Sequence, residues 1–178
     1  MIIGCQPRPP GITCDAEAGL ATASLPKLAN IDIAWGMNDP FDLERFVRAQ
    51  EPVMAEVHRE LRAGRKRTHW MWFVFPQLRA LGRSSTAQHY GIASLAEAQA
   101  YIAHPLLGPQ LVKCTELVRA VRHRSAHEIF GSPDDLKLRS SMTLFAVARP
   151  EAAVFADVLR QYFDGELDGL TVKLLAAE

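Results

Sequence analysis

A group of basic residues leads directly into an aromatic run, and the two together could bind a phosphate-bearing ligand. Residues 69–77 contain two of the three tryptophans in the chain. Basic side chains and the free N–H groups of a helix N-terminus bind phosphate or carboxylate, and an indole can stack on a base or a sugar. The candidate ligand-binding residues in this segment are Lys66, Arg67, Thr68, His69, Trp70 and Trp72. The alternative is a solvated basic loop followed by aromatic side chains of the core.

A second polar segment, residues 132–143, could complete such a site. Asp134, Lys137 and Ser141 are separated by three and four positions, which places them near one face of a helix. Together with His69, whose pKa its surroundings could tune, these groups could orient a polar ligand or move a proton. The catalytic candidates are therefore His69, Asp134 and Lys137, and the binding set gains Lys137, Ser140 and Ser141. The alternative is a capped helix whose charges complement its dipole and whose hydroxyls bond back to the backbone.

Other kinds of site are not indicated by the sequence. His123 and His127 are four residues apart, but they do not form the His-Glu-x-x-His pattern of a zinc site. The phosphate-binding and dinucleotide-binding glycine motifs and the serine-hydrolase elbow are also absent from the sequence. We therefore expect no metal and no cofactor. The three cysteines, Cys5, Cys14 and Cys114, are too widely spaced for a disulfide framework, which favours a reducing, cytoplasmic setting.

Composition narrows the class of protein. The 178 residues are 48% hydrophobic and 22% charged, which is typical of one globular domain. Twenty basic and twenty acidic residues cancel, so broad nucleic-acid binding is disfavoured, although a local basic patch is still possible. No apolar run approaches the ~20 residues that a membrane-spanning helix needs, so no membrane partner is expected. The oligomeric state is left open.

Helical signals position both candidate segments. From residue 39 onward, apolar residues recur at helical spacing, and capping residues and glycines separate the runs. Residues 70–75 are apolar on every side, which fits a central helix buried all round or a short buried strand; the helix is favoured because Thr68 can cap it. Residues 79–93 are expected to be a loop with one helical turn, and the next long helix is expected to bury Leu107, Leu111, Cys114, Val118 and Val121. Ser94–Glu97 and Ser125–Glu128 have the capping-box pattern. We therefore predict an all-α domain over residues 38–178, an irregular bundle of about seven helices around the tryptophan-rich segment. Residues 1–36 are predicted to be a disordered or mis-annotated extension, with Met37 as the natural start.

Long stretches of the chain resemble the bacterial family known as domain of unknown function 1810. The matching segments are residues 39–50, 64–77, 104–108, 129–137, 140–145 and 162–163, together with Gly82, Ser84 and Tyr90. The resemblance covers about residues 38–175, and Asp42, where asparagine is expected, is a departure from the pattern. Because this family is similar to an all-α mycobacterial protein without an assigned function, the resemblance implies a helical fold. It implies no established activity, cofactor or catalytic residue.

Two functions of different classes are consistent with these residues. The first is binding of a small anionic ligand, such as a nucleotide or nucleotide-sugar, with hydrolysis of an ADP-ribose-type N-glycoside as the reaction to test first. The second is a structural or interaction module without catalytic activity. A third, nucleic-acid binding through residues 65–67, is disfavoured by the balanced charge. If Lys66, His69 and Lys137 converge on one concave surface, the first function is favoured.

Overall fold

The computed structural model describes residues 39–178, and this part of the chain is helical. Strands are absent from it, apart from an isolated parallel bridge between Leu78 and Ile92. The helices are α1 (Glu44–Gln50), α2 (Met54–Arg62), α3 (Met71–Val74), a 3-10 helix (Arg79–Leu81), α4 (Ser85–His89), α5 (Leu95–Ala103), α6 (Leu107–Ala120), α7 (Ala126–Phe130), α8 (Asp134–Ala148), α9 (Ala153–Phe163) and α10 (Gly169–Leu175). The predicted all-α class is confirmed. The prediction for residues 1–36 lies outside the described residues.

The core forms where α6 and α8 pack against α2, α5 and α9. Helix α6 buries the face that its sequence predicts, with Leu107, Leu111, Cys114 and Val118 all inaccessible to solvent or nearly so. These residues recur at three- and four-residue spacing, so the helix presents one continuous apolar stripe to its neighbours. None of the helices in residues 39–178 is long and apolar enough to cross a membrane.

The structure contains more helices than the seven expected, because several connections form short helices of their own. Residues 79–93, expected to be a loop with one helical turn, contain the 3-10 helix and α4, whose N-cap Ser84 accepts from the Ala87 N–H. The capping box of Ser125 and Glu128 is confirmed, since both reciprocal hydrogen bonds are present.

The expected capping box at the start of α5 forms only in part. Ser94 accepts from the Glu97 N–H, as a cap should. The Glu97 carboxylate, however, accepts from the guanidinium of Arg45 at 2.5 Å and from the Ala93 N–H at 2.7 Å. The side chains of Arg45 and Glu97 are both buried, and a cationic partner stabilises a buried carboxylate more than one neutral N–H does, so this long-range pair replaces the local one.

The aromatic segment meets the core on one side only. Trp70, Met71, Val74 and Phe75 are buried, which confirms that the segment is built into the core. Trp72 is only half-buried, so the segment is not surrounded by protein on every side as the sequence suggested. The reason is that α3 is only four residues long, and its outer side forms part of a surface cleft.

Candidate functional site

A cleft of about 490 Å³ opens where α8 begins. This volume falls within the range of small-molecule sites, roughly 300–1,000 Å³. One side of the cleft is formed by α3 and the segment that follows it, and the other by the first turns of α8 and the start of α10. The polar side chains that line it are Gln77, Arg83, Ser84, Lys137, Arg139, Ser140 and Asp168, and the larger apolar ones are Trp72, Leu81, Leu136 and Leu170.

Asp134 joins the two candidate segments by binding a lysine from each. Its Oδ2 lies 2.7 Å from the Lys66 Nζ, and its Oδ1 lies 2.7 Å from the Lys137 Nζ. Burial alone would raise the pKa of the Asp134 carboxyl, but the hydrogen bonds and charges of the two lysines lower it below its ordinary value. The carboxylate is therefore ionised at neutral pH, and the three groups together carry one net positive charge.

Each of these lysines also lies over an indole. The Lys137 Nζ is 4.6 Å from the centroid of the Trp72 ring, and the Lys66 Nζ is 5.3 Å from that of Trp70. Both distances are within the range of a cation–π interaction. Trp70 is buried, whereas Trp72 and Lys137 line the cleft, so only the second pair can meet a ligand.

Glu60 organises the turn that was expected to bind an external anion. The carboxylate of this buried residue accepts from the Arg67 N–H at 2.8 Å, the Thr68 N–H at 3.1 Å, the Thr68 hydroxyl at 2.8 Å and the Trp70 indole N–H at 2.8 Å. Burial would raise the pKa of Glu60, but these donors lower it overall. The turn therefore already holds an anion, which the protein itself supplies.

This arrangement changes the role expected of Thr68. Helix α3 begins at Met71, with Trp70 at the N-cap and no side-chain capping bond, so Thr68 is not the cap. Glu60 was missed as a functional partner, although its place between Val57 and Leu61 on the apolar face of α2 is a sequence signal for a buried carboxylate.

The other sequence candidates lie apart from this cluster or are already hydrogen-bonded. His69 and Arg67 are exposed, and neither is among the residues that line the cleft. Ser140 lines the cleft, where its hydroxyl donates to the Leu136 carbonyl and to Asp168 Oδ2, each at 3.2 Å. Ser141 is fully buried, and its hydroxyl has no hydrogen-bond partner within residues 39–178. Lys66 and Lys137 thus meet at Asp134, but of Lys66, His69 and Lys137 only Lys137 lines the cleft, so the three do not converge on one concave surface.

Several cleft residues were not selected from the sequence. Arg83 is exposed at the cleft, between Gly82 and Ser84, which belong to the family-like pattern. Arg139 also lines the cleft, but its guanidinium donates to the carboxylate of Glu166 at 2.8 Å. In the described part of the chain, no group of three or more His, Cys, Asp or Glu side chains is placed to hold a metal ion.

Comparisons with known proteins agree with this fold. The chain is similar to the conserved hypothetical protein Rv1873 from Mycobacterium tuberculosis, with 63% identity and a TM-score of 0.77. That match covers 78% of this chain and 99% of the mycobacterial one. No curated protein matches the chain. The model of the family described as "Protein of unknown function (DUF1810)" matches residues 40–175, and the chain therefore belongs to this family.

Proposed function

We propose that the cleft binds a small anionic metabolite, such as a nucleotide, that also has a planar or apolar part. The observation that carries the proposal is the Lys137 ammonium over the half-buried Trp72 in the wall of the cleft. The ammonium can attract an anionic group of a ligand, and the indole beside it provides a flat surface on which a ring can stack. From the sequence, Trp72 was expected to stack on a base or sugar, and Lys137 was expected to orient a polar ligand or move a proton.

The charges around the cleft support an anionic ligand. The lining contains three cationic side chains, Arg83, Lys137 and Arg139, and one carboxylate, Asp168. Asp168 Oδ2 accepts from Ser140 and also from the Thr171 N–H at 3.0 Å, so part of its charge is already satisfied. Arg83 is exposed and, in the described structure, forms no ion pair, which leaves its guanidinium available to a phosphate or carboxylate.

Apolar side chains at the cleft support a ligand with a ring or another apolar part. Leu136 and Leu170 are 60% and 63% exposed, which is high for large hydrophobic residues. Both line the cleft together with Trp72. Burial of apolar surface stabilises a complex by about 25 cal/mol per Å². A ligand that covers these leucines would therefore gain affinity that a simple inorganic anion cannot.

Hydrolysis of an N-glycoside is the finer proposal, and it needs a proton-transfer group inside the cleft. His69 does not line the cleft, and Asp134 is ionised and bound by two lysines, so neither is suited to that role. Asp168 is the carboxylate that lines the cleft, and it is the residue we assign to such a step. We place the proposed binding activity in the cytoplasm, where nucleotides are abundant and a thiol such as Cys114 stays reduced.

The test is calorimetric titration of the protein with a panel of nucleotides and nucleotide-sugars. We expect one class to bind, and we expect Arg83→Gln and Lys137→Gln each to weaken its affinity about 10-fold or more, because a charged hydrogen bond contributes roughly 1.5–3 kcal/mol. The matched control is Arg149→Gln, which removes an exposed cation outside this cleft.

Tryptophan fluorescence provides a second readout of the same site. Ligand binding should change the emission of the wild-type protein, and Trp72→Phe should remove most of that change. If no member of the panel binds the wild-type protein, the alternative of a structural or interaction module replaces the proposed function. Equal loss of affinity in the Arg149 control would also contradict the assignment to this cleft.

A further inference from the structure

The C-terminal ends of α2 and α6 lie side by side and bring two basic segments together. Arg124 donates from Nη1 to the Gly64 carbonyl at 3.2 Å. A Cβ added to Gly64 would lie 3.0 Å from the Val121 side chain, so the backbone of one segment touches the other. Five exposed arginines belong to these segments, and we call them the arginine surface: Arg62, Arg65, Arg67, Arg122 and Arg124.

The positive charge of the arginine surface is offset only in part. Hydrogen bonds from Ser125 lower the pKa of the exposed Glu128 carboxyl, and the charge of Arg124 lowers it further, so this carboxylate lies near one of the five arginines. Arg122 and Arg124 bond to neutral oxygens, and none of the five forms an ion pair within the described structure. Glu60, the carboxylate nearest to Arg62 along the chain, is buried and bonded to the turn on its inner side. Burial lowers the pKa of the nearby His58, and the positive charges of Lys113 and Arg62 lower it further.

Helix dipoles explain only a small part of this cluster. Cations in the last turn of a helix interact favourably with its negative end, and the effect falls off within that turn. Arg62 occupies the last turn of α2. Arg65, Arg67, Arg122 and Arg124 lie beyond the ends of their helices, where the dipole gives little reason for a cation.

The side chains of this surface fit a phosphate backbone. A guanidinium offers paired N–H donors that match phosphate oxygens, and all five residues are arginine. The two segments contain no Phe, Tyr or Trp on which an unpaired base could stack. Among residues 39–178, the exposed large hydrophobic residues lie at positions 136, 147, 167, 170 and 172, so this part of the chain places no apolar group that could insert into a membrane within the two segments.

We propose that the arginine surface binds the phosphate backbone of a nucleic-acid duplex without reading its sequence. The balanced charge of the whole chain does not oppose this, because salt screens charges that lie more than about 8–10 Å apart. The charge within that distance of a bound phosphate decides the affinity. The proposal concerns a surface separate from the cleft and does not depend on the cleft binding a metabolite.

The salt dependence of binding tests the proposal. We would measure the affinity of the full chain for labelled 20-base-pair DNA and RNA duplexes of unrelated sequences by fluorescence anisotropy. If about four phosphates are contacted, the slope of log K against log salt is about −3.6, which corresponds to a roughly 100-fold loss of affinity between 50 and 200 mM salt. Unrelated sequences should bind equally, and the DNA and RNA arms identify which duplex is preferred.

Two double variants with the same change in net charge localise the site. Arg65→Gln/Arg122→Gln removes one arginine from each segment and should reduce the magnitude of the slope by about 2. Arg48→Gln/Lys173→Gln removes two exposed cations elsewhere and should leave the slope unchanged. The proposal is overturned if no duplex binds at 50 mM salt, if both variants lose affinity equally, or if anionic lipid vesicles bind the arginine surface more tightly than either duplex.

Discussion

Replacing Glu60 with glutamine should destabilise the protein by about 2–3 kcal/mol. The substitution keeps the shape of the side chain and removes its charge. In the better orientation the amide oxygen takes the place of Oε2, which accepts from the Arg67 N–H, the Trp70 indole N–H and, more weakly, the Thr68 N–H. Hydrogen bonds to charged groups contribute about 1 kcal/mol more than neutral ones, so loss of the charge should weaken these three contacts by about 2–3 kcal/mol in total. The opposite orientation is worse, because it would point the amide N–H groups at the Arg67 N–H and the Trp70 indole N–H.

Urea denaturation at pH 7 measures this loss, with Glu56→Gln as the matched control. Glu56 lies on the same helix but is partly exposed and pairs with Arg59, so its removal should cost less than about 1 kcal/mol. With a urea m-value near 2 kcal/mol per M, the Glu60 variant should unfold at about 1 M less urea than the control, with m unchanged.

The pH dependence gives an independent check. The folded-state pKa of Glu60 is lowered, so its stabilising effect is fully present above the unfolded pKa of about 4.3 and is lost as the pH falls through the folded pKa. The stability difference between wild type and Glu60→Gln should therefore shrink below about pH 4. If Glu60→Gln is as stable as Glu56→Gln at pH 7, the carboxylate does not organise the turn and our account of the segment is wrong.

Three further predictions concern the core and the cleft. Trp70→Ala should cost about 3–5 kcal/mol in thermal or chemical unfolding, whereas Trp72→Ala should cost clearly less and should weaken ligand binding; equal losses of stability would contradict the different placement of the two indoles. Gly108→Ala should lower stability by about 1–3 kcal/mol, measured as a drop in Tm, because its Cβ would lie 2.1 Å from the Ile102 carbonyl oxygen; an unchanged Tm would refute this close approach. Burial raises the pKa of the Cys114 thiol to about 12, so iodoacetamide should modify it only when the protein unfolds; rapid labelling of Cys114 itself in the native protein, located by peptide mass spectrometry, would contradict its burial.

The sequence was most informative where structure depends on neighbours in the chain. The apolar stripe of α6 and the capping box of Ser125 and Glu128 were predicted correctly, because both follow from residues within a few positions of one another. The capping box at Ser94 formed only in part because Arg45, far away in the chain, supplies a stronger partner for Glu97. A local pattern cannot reveal such a competitor.

The candidate site was predictable in its components and not in its assembly. Lys66, Asp134 and Lys137 were all selected from the sequence, but the carboxylate that joins the two lysines depends on packing between segments that are distant in the chain. The cleft itself forms from residues as far apart as Trp72 and Leu170, which no spacing rule connects. His69 was selected for its position between charge and aromatics, and the turn around Glu60 instead leaves it exposed.

The position of Asp134 between two lysines bears on which anions the cleft would select. Lys137 already has a counterion, so an incoming ligand must compete with an aspartate that is 2.7 Å away. A monoanion offers the ammonium little more than Asp134 does. A dianion such as a terminal phosphate offers more, and Arg83 lines the same cleft. Competition with Asp134 should therefore make the cleft bind weakly charged metabolites poorly and phosphorylated metabolites more tightly.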